Sequence, residues 1–197
     1  MITRTHVMHD PTAGELMSLM LPLQYFYAQQ DREFPIIEFL DSGEVPEPQF
    51  SLLVHDLDMT STLTRHHGSD LSLNVLYADQ SVDYLIRMVV LERMDNRSPV
   101  EFGAIGIHLD KLQSEMRSAV VAQEAPFGAL LERYEVDFRS SPKGFFRIQS
   151  DQLIGDALHN DRDVQLYGRC NELTDREGFV LADIVEILPL SPLKIGK

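Results

Sequence analysis

The sequence predicts an α+β fold, an antiparallel sheet of about six strands with helices packed on it. Two observations carry this expectation. Segments of period two occur in pairs joined by turn residues, as antiparallel hairpins require, and segments of helical period fall between those pairs without the strand–helix–strand alternation of a parallel design. Size adds a third: a chain of 197 residues buries roughly 70% of its unfolded surface, which is what one domain does. Residues 1–197 are therefore expected to form a single domain, with residues 1–50 as a helical and irregular N-terminal extension.

In chain order, Gly14 to Asp31 is apolar-rich around Leu16, Leu19, Met20, Leu23 and Phe26, with Pro22 as a kink or a new helix start. The apolar run Phe34 to Leu40 follows, then a Gly/Pro-rich connection, Asp41 to Gln49, the best candidate for a mobile loop. Asp58 suits the N-cap of a helix Met59 to His67, and Gly68 its left-handed terminus. From Leu71 the period changes to two, with Leu71, Leu73, Val75 and Tyr77 on one face of a strand. Asp83 to Arg93 and Val100 to Ile107 form a hairpin about the turn Asp95 to Pro99. Helical spacing covers Asp110 to Ala122 and, after Pro126, Phe127 to Tyr134. A short strand Gly144 to Gln149, a helix Asp151 to Leu158, and a last hairpin of Val164 to Leu173 with Phe179 to Leu188 complete the chain. No internal repeat interrupts it.

Composition removes several function classes. Seventeen basic against thirty-one acidic residues leave a formal charge of −14, a field that repels nucleic acid and anionic lipid. An anionic ligand would need a compact, enclosed site of local cations to overcome it. No run approaches the length of a membrane span. The stretch Met1 to Asp10 has no basic-then-apolar signal pattern, and Cys170 is the single cysteine, so a cytoplasmic location is expected. Oligomeric state, a homo-oligomer included, stays open.

The local signatures of nucleotide-binding, serine-hydrolase and zinc enzymes are absent. His66 and His67 point about 100° apart on a helix, poor geometry for shared metal ligation, and suit a helix C-terminus instead. His55-Asp56-Leu57-Asp58 holds oxygen and nitrogen donors, yet capping accounts for Asp58. No metal is expected. More informative are charges that break an apolar pattern. Arg87 stands in line with Leu85, Val89 and Leu91, and Glu186 in line with Ala182, Ile184 and Leu188. Each would be buried and each needs a partner, either in a structural ion pair or in a ligand.

A set of pieces in one order resembles the chorismate lyases: Asp58-Met59-Thr60 with Leu63, Thr64, Arg65 and Gly68, a hairpin carrying Arg87, Ala125 to Leu131, Leu166-Tyr167-Gly168-Arg169, and Glu186 with Ile187-Leu188-Pro189. The resemblance runs from about Leu52 to Leu193, some two thirds of the chain. It implies a six-stranded antiparallel sheet with the ligand buried beneath helical flaps. It also implies elimination of pyruvate from chorismate to leave 4-hydroxybenzoate, with no cofactor. In that reading Arg87 holds a substrate carboxylate, Glu186 meets the ring hydroxyl with a raised pKa, and Met59 and Phe127 line the pocket. The family's second substrate arginine has no counterpart in Phe102 to His108, which leaves Arg139, Arg147 or His108 as substitutes. Glu186 lies three residues before Pro189, one fewer than the family spacing, so Asp183 is an alternative inward acid. Related folds also serve as effector-sensing domains of transcription regulators. A binding module for an aromatic carboxylate is thus the second expectation, and with nothing basic or helix-turn-helix-like ahead of the domain, direct DNA contact is not expected.

Overall fold

The computed structural model describes residues 13–190; the signal-peptide reading of Met1 to Asp10 and the end of the resemblance at Leu193 lie outside the described residues. The first apolar stretch divides at its proline into α1 (Ala13–Ser18) and α2 (Leu21–Gln29), with Pro22 in the first turn of α2, where a missing N–H costs nothing. The strand β1 (Ile37–Leu40) and a short 3-10 turn at Ser42–Glu44 lead into α3 (Gln49–Leu53). The helix α4 (Met59–His67) has the bounds its caps dictate: the Ser61 N–H donates to the Asp58 side chain at 2.8 Å, and Gly68 ends it at φ 61°.

Three ten-residue strands follow, β2 (Leu71–Gln80), β3 (Tyr84–Arg93) and β4 (Pro99–His108). Then come α5 (Ser114–Val121), α6 (Phe127–Arg133), β5 (Arg139–Gln149), α7 (Gln152–Leu158), β6 (Gln165–Thr174) and β7 (Val180–Leu188). The sheet has seven antiparallel strands in the order β1-β5-β6-β7-β4-β3-β2. The expected count of six is corrected by β1, an edge strand of four residues paired to Phe145–Ile148 and too short to display a period. The strand β5 also begins five residues earlier than expected. Its polar start, Arg139-Ser140-Ser141-Pro142, pairs with β6 up to a register shift between Pro142 and Gly144, an irregularity that tolerates the proline.

Alternation along the strands separates two faces. Met88, Val90, Phe102, Ala104, Val185 and Ile187 point to one, covered by α2 and α7. The other carries two apolar clusters. One forms under α5 and α6 around Leu85, Ile105, Ile107 and Leu130; the other forms with α3 and α4 around Leu53, Leu63, Leu91 and Leu188. The functional interest lies at the seam between these two clusters. No helix among the described residues is long and apolar enough to cross a membrane.

Candidate functional site

Strand register lays polar side chains across that seam in two rows. In the first, Arg87 of β3 stands opposite Ile105, which stands opposite Ile184, which stands opposite Asn171. In the second, Val89, Gly103, Glu186 and Arg169 follow in the same way. Above them the first residues of α4 and α6 close a cavity of about 50 Å³, with Met59 and Phe127 in its walls. Gly103 is its floor. A β-carbon there would stand 3.0 Å from the Glu101 Oε1 and 3.3 Å from the Val185 carbonyl, so the missing side chain leaves room for the Glu101 carboxyl.

Arg87 and Glu186 both line this cavity, and β4 runs between their strands, which separates the backbones by about 10 Å. They are not bonded to each other. Arg87 is 1% exposed, and its Nε and Nη1 have no hydrogen-bond partner among the described residues. Burial pulls its pKa down to about 10, which still leaves a cation at neutral pH.

Glu186 behaves differently. Its Oε2 accepts a hydrogen bond from the Nε of Arg169, in an ion pair with both side chains almost fully buried. Arg169 spends its other donors on backbone: Nη1 on the Leu53 and His55 carbonyls at 3.2 and 2.9 Å, Nη2 on the Leu57 carbonyl at 3.0 Å. Arg169 therefore pins the loop ahead of α4 to the sheet. His55, considered above as a ligand donor, has its Nδ1 against the Arg169 Nη1 at 3.3 Å and its Nε2 at 2.8 Å from the Leu52 carbonyl. Burial and the Arg169 charge lower its pKa.

Within the cavity, the acid that the environment drives toward its neutral form is Glu101. It is 5% exposed, its Oε2 has no partner among the described residues, and it lines the same cavity. Burial pushes its pKa well up, the Glu186 and Asp58 charges add to that rise, and Arg169 opposes it.

Three expected substitutes for a second cation lie elsewhere. His108 has the strand parity of Phe102 and Ala104 and so faces away from the cavity; its Nε2 is 4.0 Å from Asp183 and its ring packs on Tyr84. That same contact corrects the alternative acid: Asp183 alternates with Glu186 onto the opposite face and is half-exposed. Arg147 pairs with Glu38 on the neighbouring edge strand, Nε to Oε2 at 2.7 Å. Arg139 is exposed beside a separate surface depression shared with Asp56 and Ser141.

The sequence reading passed over Glu101 and gave Arg169 no role. The signal that found Arg87 applies to both. Glu101 alternates with Gly103, Ile105 and Ile107, and Arg169 with Asn171 and Leu173, so each is a charge on an inward-facing row.

No protein-family model matches the chain, and no curated protein matches it. Solved structures do. The chain superposes on PhnF from Mycobacterium smegmatis with a TM-score of 0.52 and 10% identity, over 70% of this chain and 65% of that one. On the effector domain of the same PhnF the TM-score is 0.50 with 12% identity, over 68% of this chain and 88% of the domain. The chain thus spans most of the effector domain and slightly under two thirds of the longer PhnF chain. A ligand-binding domain of a GntR-family transcriptional regulator from Bordetella bronchiseptica gives a TM-score of 0.48 with 11% identity, over 62% of this chain and 85% of that one. The fold is the expected α+β architecture, an antiparallel sheet with helices packed on it, and the likeness concerns fold alone.

Proposed function

We propose that the chain is a small-molecule binding module that holds a carboxylate-bearing ligand on Arg87. The observation that carries this reading is a buried guanidinium, lining the cavity under α4 and α6, whose Nε and Nη1 have no partner among the described residues. A buried charge without a partner is costly, and a carboxylate is the anion that a guanidinium pairs with best. The fold shared with the PhnF effector domain supports a binding role.

Two features favour binding over elimination of pyruvate from chorismate. Glu186, the expected acid at the ring hydroxyl, is already engaged by Arg169. None of Arg139, Arg147 and His108 lines the cavity, so Arg87 has no second cation among them to help hold a dicarboxylate. One observation favours the enzymatic reading: Glu101 provides a carboxyl group held toward its protonated form in the same cavity, as proton transfer near neutral pH requires.

The experiment is direct. Purified protein is titrated with butyrate and benzoate by calorimetry, and separately incubated with chorismate while pyruvate is followed. Saturable binding of a carboxylate, lost in Arg87→Met, without pyruvate release is the expected result. Pyruvate release that depends on Glu101 would replace the binding reading with the lyase.

A further inference from the structure

The cavity has two unpartnered ends, and the carboxylate reading of Arg87, on which this inference rests, uses only one. We propose that the ligand is a short amino-carboxylate, with its carboxylate on Arg87 and its ammonium group on Glu101.

Geometry places the two anchors at opposite ends of one space. Arg87 is registered with Ile105, and Glu101 lies four residues further along β4, so their backbones are about 14 Å apart at the rise of an extended strand. Their side chains nevertheless line the same cavity, with the bare Gly103 between them. Each carries a buried polar atom without a partner, Nε and Nη1 on one side and Oε2 on the other.

The two ends have opposite electrical character. At the Glu101 end stand Glu186 from β7 and Asp58 from the cap of α4, both of which resist ionisation of Glu101. Arg169 from β6 opposes them, but its donors are committed to Glu186 and to three backbone carbonyls. His55 lies behind Arg169, and its pKa is lowered, so it adds no cation. At the other end Arg87 has no ion-pair partner among the described residues. Such a cavity complements a dipolar molecule: the ammonium takes the place of the proton that Glu101 otherwise holds, and the carboxylate neutralises Arg87. A zwitterion also carries no net charge, so the chain's overall −14 does not repel it as it would a plain anion.

Because Glu101 gives up its proton when the ammonium arrives, binding should release a proton and tighten as pH rises. The test is calorimetric titration of the intact chain with 4-aminobutyrate and with butyrate. It is run at mildly acidic and mildly alkaline pH, in two buffers of different ionisation enthalpy. The expected result is that 4-aminobutyrate binds about tenfold or more tightly than butyrate, gains affinity with pH, and releases a proton; Glu101→Gln should remove the preference while leaving butyrate binding. The proton count and the pH trend are read on the unsubstituted protein and need no variant to fold. Butyrate binding as tightly as 4-aminobutyrate, or affinity falling with pH, overturns the zwitterion and leaves the carboxylate reading standing. If neither compound nor benzoate binds, and Arg87→Met changes nothing, both readings fall.

Discussion

Arg87 and Arg169 are buried to the same degree on one sheet face and have opposite roles. Arg169 meets a carboxylate and three carbonyls, so Arg169→Met should lower stability by about 3–5 kcal/mol, because it strands the Glu186 charge in the interior. Arg87 meets none of these, and Arg87→Met should leave stability unchanged or raise it by about 1–3 kcal/mol; denaturant unfolding of the two variants in parallel measures the contrast. Glu101 adds a pH dependence of definite sign. Its pKa in the folded protein is raised, so the native state holds this proton more tightly than the unfolded chain does. Stability is then lost as pH climbs from the ordinary carboxylate range toward the raised value. Melting temperatures followed across that range should fall less steeply for Glu101→Gln, with the gap from the parent widening as pH rises. Arg87 and Glu186 were legible in the sequence as charges in apolar rows, but which charge meets which was not. Pairing is set by strand order, and β7 lies between β4 and β6, a neighbourhood that no single-strand pattern reveals.

Among the elements, the roof depends on a close approach of α6 to the cap of α4. A β-carbon at Gly128 would lie 2.8 Å from both the Asp58 Oδ1 and the Thr60 Oγ1. Gly128→Ala should therefore displace the Asp58 cap and the Thr60 side chain at the start of α4, at a cost of about 1–3 kcal/mol. It should also weaken carboxylate binding, since Met59 and Phe127 would no longer close over the sheet; melting and titration of the variant check both effects. Elements with strong local signals were readable: α4 from Asp58 and Gly68, and the β6–β7 hairpin from its alternation and the turn at Asp175–Gly178. Others were not, because their conformation comes from pairing. The strand β1 exists through its bonds to β5, and a bulge between Val75 and Tyr77 shifts the register of β2, leaving Tyr77 exposed where simple alternation would have placed it beside Val75.

At the scale of the whole molecule, one sheet separates a filled face from a face with a seam. The layer beneath α2 and α7 is continuous and apolar, whereas the opposite layer is split into two clusters with the cavity and its charges at the junction. Fold class was accessible from periodicity and hairpin order; the seam was not, since it requires α4 and α6, far apart in sequence, to meet over β4. An overall charge of −14 makes Arg87, a buried cation with no ion-pair partner among the described residues, the feature most in need of a functional explanation. The most direct test is thermal unfolding of the parent protein and of Arg87→Met with increasing butyrate. A saturable rise in melting temperature is expected for the parent, since a ligand that binds only the native state stabilises it. No rise is expected for Arg87→Met, which should itself melt no lower than the parent. An equal rise in both proteins, or a variant that unfolds as readily as Arg169→Met, would contradict the binding role of Arg87 and make it a structural residue.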